Sequence, residues 1–261
     1  MTTAPTGTMR NRTVLLTGVT SEIGTAYLQA LTAAGANVVA TDLPALQNQG
    51  EEVVGQASSS GPGRAIFVPC DVTDQDAVQR SVDTALHTFG ALDSVVNNAA
   101  IYKTLGGKRH LTELTCDEWD LVLRVNVRGT WQVIKAAAPA LAASGNGRIV
   151  NISSVVARKG SPGFAHYVAS KAAVEGLTRA AARELGGDGT TVNAIAPGLV
   201  DNSATRALNS DDHLTNALLT RSLPRAMASS DLVGAMLWLA GPDSGFVSGQ
   251  VLIVDGGGLF V

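Results

Sequence analysis

An α/β fold in one domain, with a parallel sheet wound in both directions and helices on both faces, is predicted for this chain by three observations. Short β-branched runs alternate with longer helical patterns along the whole sequence, as successive strand-helix-strand crossovers require. No Pro/Ser-rich linker or run of like charge divides the 261 residues. Apolar residues make up 45% and charged residues 16%, enough for one large core; with aromatics at 4%, small aliphatic side chains have to fill it. The domain is expected over residues 13–261, behind an N-terminal tail of residues 1–12.

Thr13–Leu16 reads as the first strand and Ile23–Ala34 as the first helix, closed by Gly35, which suits a left-handed C-terminal turn. Asn37–Ala40 forms the second strand, Leu43–Ala57 a helix and Ala65–Val68 the third strand. Asp74–Phe89 is a helix with Asp74 where an N-cap is wanted, and Ser94–Val96 the fourth strand. Cys116–Leu141 reads as one long helix with Asp117 near its cap, Arg148–Ile152 as a strand and the Ala-rich Ala165–Leu185 as a helix. Thr191–Ile195, the helix Ser230–Leu239 and the strand Val251–Val254 complete the series. Right-handed crossovers then give a parallel sheet covered on both sides.

Composition excludes several roles. A net charge of −3 leaves no electrostatic footprint for nucleic acid, and no basic amphipathic stretch suggests a membrane surface. Cys70 and Cys116 have no metal-ligand spacing and need no disulfide, so reduced thiols in a cytoplasmic protein are expected, with no metal site. Residues 1–12 lack an apolar signal core, and no run approaches the length of a membrane span.

Thr17-Gly18-Val19-Thr20-Ser21-Glu22-Ile23-Gly24 follows the first strand and opens the first helix, the context a dinucleotide-binding turn requires. There Gly18, Thr20, Ser21, Glu22, Ile23 and Gly24 bring backbone N–H groups and the positive end of a helix dipole to a pyrophosphate. Asp42, at the end of the second strand with Leu43 beside it, is placed to accept hydrogen bonds from the hydroxyls of an adenosine ribose. Thr13 to Gly63 contains no lysine or arginine, whereas Glu22, Asp42, Glu51 and Glu52 are negative. A 2′-phosphate would meet carboxylates without a counter-cation, so NAD is expected over NADP. Asp71 and Val72 follow the third strand and Asn97-Asn98-Ala99-Ala100 the fourth, at strand ends where open sheets bind ligands. Adenine contacts are expected at Asp71 and Val72; Asn97 and Asn98 are expected to tie neighbouring strand ends and line the adenosine-side ribose, with Ala99 also beside the cofactor.

Tyr167 and Lys171 stand four apart in a helical segment, on one face and one turn apart. A neighbouring ammonium favours phenolate over phenol, which fits the tyrosine to exchange a proton with an alcohol oxygen. Ser153 and Ser154 end the apolar strand just before.

Together these residues resemble the short-chain dehydrogenase/reductase family over nearly the whole chain. The resemblance lies in the Thr17–Gly24 turn, Asn97–Ala100, Asn126, Ser154, Tyr167 with Lys171, Pro197-Gly198, and the ending Phe246–Gln250 through Val254–Gly257. It implies a Rossmann-type, three-layer α/β/α domain with a seven-stranded sheet in the order 3-2-1-4-5-6-7. It also implies a homotetramer or homodimer packed through the fourth and fifth helices. By position, Tyr167 corresponds to the general acid/base, Lys171 to its partner on the nicotinamide ribose, Ser154 to the holder of the substrate oxygen, and Asn126 to the residue that orients a relay water. Pro197, Gly198 and Val200 would close over the nicotinamide, with a backbone bond from Val200 to its carboxamide, which the Asn202 amide can also bond. Three positions depart from the family pattern: Glu22 and Ala100 stand where glycine is common, and Asn202 where threonine is frequent. Glu22 is expected to point outward and cap its own helix.

Ser154, Val155, Val156, Tyr167 and Leu199, with Ile101, Tyr102 and Phe164, would make a largely apolar pocket for a hydrophobic secondary alcohol or its ketone. Gly160 to Gly163 and Ser203–Arg225 should add specificity, and His166 is given no catalytic role. An alternative is a 3-oxoacyl-carrier-protein reductase using NADPH, with Arg128 and Arg179 facing an acidic carrier. A dinucleotide sensor without chemistry is disfavoured by the complete catalytic set.

Overall fold

A computed structural model describes residues 9–102 and 105–261. Its seven strands are β1 (Thr13–Thr17), β2 (Asn37–Asp42), β3 (Arg64–Pro69), β4 (Ser94–Asn97), β5 (Arg148–Ile152), β6 (Thr191–Pro197) and β7 (Val251–Val254). They form one parallel sheet in the order β3-β2-β1-β4-β5-β6-β7. The helices are α1 (Glu22–Ala33), α2 (Gln47–Ser59), α3 (Gln75–Phe89), α4 (Cys116–Leu123), α5 (Thr130–Ser144), α6 (Val156–Lys159), α7 (Ala165–Leu185), α8 (Ser203–Leu208), α9 (Asp211–Leu219) and α10 (Val233–Ala240).

Both faces of the sheet are buried, because alternate residues of each strand enter different cores. Val14 and Leu16 of β1, Val38 and Ala40 of β2, and Val150 and Ile152 of β5 pack with Tyr27, Leu28 and Leu31 of α1 and Met236 of α10. Leu15, Val39 and Ile149 point the other way, against Val78 and Val82 of α3 and Val133, Ile134 and Leu141 of α5. The chain leaves β1 toward β2 and β3, then returns to place β4 on the other side of β1. That reversal opens a crevice above the carboxyl ends of β1 and β4, where the candidate motifs lie.

Several elements differ from the sequence expectation. Strands β1, β2, β4 and β6 extend through polar or proline residues (Thr17, Asp42, Asn97 and Pro197), because each continues to pair with a neighbour beyond its β-branched run. The expected helix Cys116–Leu141 is two helices joined by a π-helical turn, Arg124–Gly129, with Gly129 so close to Val72 that a Cβ would lie 2.7 Å from its Cγ2. Its cap is Thr115 rather than Asp117: the Thr115 hydroxyl accepts the Glu118 N–H and the Glu118 carboxylate takes the Thr115 N–H. Pro44–Leu46 is a separate 3₁₀ turn before α2, and Ser229–Leu232 another before α10. Of the expected tail, residues 1–8 lie outside the described residues, but Met9 is fully buried and Arg12 donates to the carbonyls of Asp93 and Asn146 at 3.2 and 3.0 Å. The folded part therefore already includes residues 9–12. Asp74 caps α3 as expected, and Gly35 has φ +90° after α1. Cys70 is buried and Cys116 exposed, and among the described residues no helix is long and apolar enough to cross a membrane.

Candidate active site

The glycine-rich turn is held by close backbone packing. Gly18 has φ +72°, and a Cβ on it would lie 2.8 Å from Ala99 Cα; a Cβ on Gly24 would lie 2.1 Å from the Gly18 oxygen. Ser21 caps α1, its Oγ accepting the Gly24 N–H at 3.1 Å while donating to the Gly18 carbonyl at 2.8 Å. The first N–H groups of a helix have no intrahelical acceptor, so with that of Gly24 taken, those of Glu22 and Ile23 are the donors for an anion. Asn98 Nδ2 donates to the Thr17 and Gly18 carbonyls at 3.1 and 2.8 Å, and the Ala99 N–H reaches Thr17 Oγ1. Asn97 bonds Asn151 across β4 and β5. Both asparagines thus tie strand ends together, as expected.

Asp42 stands at the edge of this turn. Its Oδ2 accepts from the Thr20 N–H and hydroxyl at 2.9 and 2.7 Å, and its Oδ1 from the Leu43 N–H at 2.9 Å. Two carboxylate oxygens offer about four acceptor positions, and with three of them taken one remains for a ribose hydroxyl. Asp71 folds back on the Thr73 N–H, and Val72 is buried with its carbonyl taken by Gln132, so an adenine contact from Val72 would fall to its N–H rather than its side chain.

Glu22 does not cap its own helix as expected. Its Oε1 reaches across the crevice to accept the N–H of Ser203, the first residue of α8, at 2.8 Å. Asn202 caps that helix, its Oδ1 accepting the Thr205 N–H at 2.9 Å, which leaves only its Nδ2 for a carboxamide. Val200 is buried and bridges Met227, while the Leu199 carbonyl is held by Arg221 at 2.7 Å. Pro197 accepts the Val155 N–H at 3.0 Å, and Gly198 lies so close to Asp255 that a Cβ would be 2.6 Å from its Cβ.

Tyr167 and Lys171, on one face of α7, are only 8% and 4% exposed. Lys171 Nζ donates to the Ile152 carbonyl at 2.7 Å and sits 5.6 Å from the Tyr167 ring centre. Burial therefore lowers the ammonium from its ordinary 10.5 to about 8. Burial also raises the Tyr167 phenol, reinforced by Tyr102 and opposed by a hydrogen bond with Ser154. The expected lowering of the phenol by Lys171 is not seen: burial dominates, and the ammonium is committed to the Ile152 carbonyl.

Ser153 and Ser154 are separated in function by their directions. Ser154 lies beside Tyr167 and its Oγ takes the Val156 N–H, whereas Ser153 Oγ turns to the Lys171 carbonyl and Glu175. Asn126, on the π-helical turn, accepts the Ile101 N–H at 2.7 Å and donates to Ser170 at 3.0 Å. Its amide is a clasp between the β4 loop and α7, so a relay water would have to use its main-chain carbonyl, already bonded by Thr130.

Tyr167 packs with Leu105, Val122 and Phe164, flanked by Ile101, Tyr102, Val156 and Leu208. The Tyr102 ring lies 5.2 Å from that of Tyr167, and its hydroxyl meets Asn209 at the end of α8. Tyr102 was legible as a wall residue, but Asn209 and Arg221 were not, since only tertiary folding brings them there. His166 is buried, and burial depresses its pKa, which fits a packing residue. Arg109, Arg158, Arg206 and Arg225 pair with Glu118, Glu175, Asp201 and Asp231, and Lys159 lies 3.9 Å from Asp255. Arg128 and Arg179 are exposed.

A family model described as enoyl-(acyl carrier protein) reductase matches residues 18–258. A short-chain type dehydrogenase/reductase from Mycobacterium ulcerans superposes with a TM-score of 0.90 at 32% identity, over 96% of this chain and 90% of that one. The chain belongs to the short-chain dehydrogenase/reductase family. Among its curated relatives, a 3-oxoacyl-[acyl-carrier-protein] reductase from Staphylococcus aureus is 35% identical over 94% of this chain and 97% of its own length. An uncharacterised oxidoreductase from Mycobacterium tuberculosis is 38% identical over 95% and 97%. A short-chain dehydrogenase from Burkholderia cenocepacia, solved in complex with NADP, has a TM-score of 0.86 at 33% identity, over 97% and 99%. Like other members of this family, the protein is an oxidoreductase.

Proposed function

We propose that the protein interconverts a ketone and its secondary alcohol, with Tyr167 passing the proton and NAD(H) as the preferred dinucleotide. The observation that carries this reading is the Tyr167 side chain, buried in an apolar cluster beside Ser154 and one helical turn from the buried Lys171. A nicotinamide dinucleotide would supply or accept the hydride. The residues fit such a group: two helix-start N–H groups for the pyrophosphate, Asp42 with spare acceptor capacity for the ribose, and Lys171 for the second ribose.

In ketone reduction, Ser154 and Tyr167 donate hydrogen bonds to the oxygen on which charge develops. Burial keeps the Tyr167 proton in place at neutral pH until that charge appears. Lys171, with a pKa near 8, is poised to return a proton to Tyr167. Tyr167→Phe should lower turnover by roughly 100- to 10,000-fold while leaving NADH binding within about twofold. Unchanged turnover refutes the proposed acid/base.

The substrate has two readings. A small hydrophobic alcohol or ketone is supported by the apolar lining. A 3-oxoacyl thioester with NADPH is supported by the Staphylococcus aureus and Thermotoga maritima relatives, both named 3-oxoacyl-[acyl-carrier-protein] reductases, and by the NADP-bound Burkholderia structure. The comparisons favour the second reading; Asp42 and the cation-free segment from Thr13 to Gly63 favour NAD in either. Initial rates with a 3-oxoacyl thioester and with cyclic and aryl ketones, each with NADH and NADPH, separate the two. Tighter NADPH binding removes the NAD proposal, and a thioester preferred by kcat/KM removes the small-ketone one.

A cytoplasmic homotetramer or homodimer is proposed as well. Leu121 of α4 and Trp131 of α5, both within the segment expected as the fourth helix, are each more than two-fifths exposed. Light scattering tests the assembly.

A further inference from the structure

We infer that Glu175 is a positioning residue for this reaction: its buried carboxylate fixes the Ser154 strand end and the α6 wall against the helix that carries Tyr167 and Lys171. Glu175 lies one turn beyond Lys171 and two beyond Tyr167 on the same face of α7, with its side chain 8% exposed. Its Oε1 accepts the Ser153 hydroxyl at 3.2 Å and Arg158 Nε at 3.4 Å, and its Oε2 accepts Arg158 Nη2 at 3.2 Å. Ser153 precedes Ser154, and Arg158 lies on α6, two residues after Val156.

Lys171 pins the preceding residue by its bond to the Ile152 carbonyl. Two consecutive residues at the end of β5 are therefore tied to α7 by two side chains one turn apart, and Ser154 is the next residue beyond those ties. On the other side, the Ser153 and Val155 N–H groups bond the Ile195 and Pro197 carbonyls of β6. The β6 bonds fix the height of Ser154 above the sheet, while Glu175 and Lys171 fix its approach to Tyr167. Proton transfer depends steeply on such placement, since a misplacement of about 1 Å can cost roughly 100-fold in rate. A buried carboxylate has a desolvation cost, which the Arg158 pair and the Ser153 bond offset here.

The inference rests on the proposed roles of Ser154, Tyr167 and Lys171, and the experiment includes Tyr167→Phe so that the two fail separately. Glu175→Leu, Glu175→Gln, Ser153→Ala and the Ser153→Ala/Glu175→Leu double variant are compared for kcat, for KM of the best ketone, and for NADH affinity by fluorescence. Glu175→Leu is expected to lower kcat roughly 10- to 100-fold with NADH affinity unchanged. Glu175→Gln, which keeps an acceptor for Ser153, should stay within about threefold of wild type. Ser153→Ala should lower kcat alone, yet add less than its own effect to Glu175→Leu, because the bond between the two side chains is lost in either variant. Wild-type kcat in Ser153→Ala and Glu175→Leu, or an equal loss of kcat and NADH affinity, overturns the inference. If Glu175→Leu does not fold, the kcat of Ser153→Ala against that of Glu175→Gln decides it. Retained turnover in Tyr167→Phe would instead strike the proposed chemistry.

Discussion

Replacing Lys171 by methionine should expose a conflict between stability and activity. The ammonium is buried, and its pKa falls from 10.5 to about 8. At about 1.4 kcal/mol per pH unit, keeping that charge in the folded protein costs roughly 3 kcal/mol at pH 7. The ammonium also satisfies the Ile152 carbonyl, which would cost about 1–3 kcal/mol if left buried and unpaired. Lys171→Met removes the buried charge and also orphans the carbonyl, so its net effect near pH 7 is small while turnover falls at least 100-fold.

The pH dependence decides the matter. Between about pH 8 and 10.5 the unfolded chain binds a proton at Lys171 that the folded protein has released, so stability rises with pH in that window. At pH 9 the cost has fallen to roughly 2 kcal/mol, so wild type should gain about 1 kcal/mol on Lys171→Met between pH 7 and pH 9. Urea unfolding of both proteins, without dinucleotide, at the two pH values measures this gap. A gap that stays constant, or that moves in favour of the variant at higher pH, refutes the argument from burial.

Two further outcomes follow from the crevice. Asp42→Ala should weaken NADH binding at least about tenfold, since it removes the ribose acceptor and frees Thr20; an unaltered NADH-to-NADPH affinity ratio by titration would contradict the proposed recognition. Gly24→Ala would drive a Cβ to 2.1 Å from the Gly18 carbonyl, so the turn must open, with a loss of about 1–3 kcal/mol in thermal unfolding and of most dinucleotide affinity; a variant binding NADH normally would refute the packing argument.

Local signals told most of the architecture. β-Branched runs marked the strand interiors, and the helix Ala165–Leu185 had the predicted bounds, because both depend on neighbours close in sequence. The π-helical turn at Arg124–Gly129 was hidden, since its setting, Gly129 against Val72 and Asn126 reaching Ile101 and Ser170, arises between distant segments. The short helices α6, α8 and α9 were missed because each has too few turns to show a period. At the site, residue types and spacing identified Tyr167, Lys171 and Ser154. They could not show that burial would raise the phenol, because the desolvation comes from Tyr102, Phe164 and Leu105, whose approach is a tertiary event. Nor could they reveal Glu175, which reads in sequence as one more charge on a helix.

The contact between Glu22 and Ser203 joins residues 181 positions apart and spans the mouth of the crevice like a clasp. It ties the glycine-rich turn to the start of α8. Engineering aimed at the turn to alter dinucleotide choice will therefore also shift how the segment over the opposite end of the cleft is seated, and with it how readily molecules enter and leave.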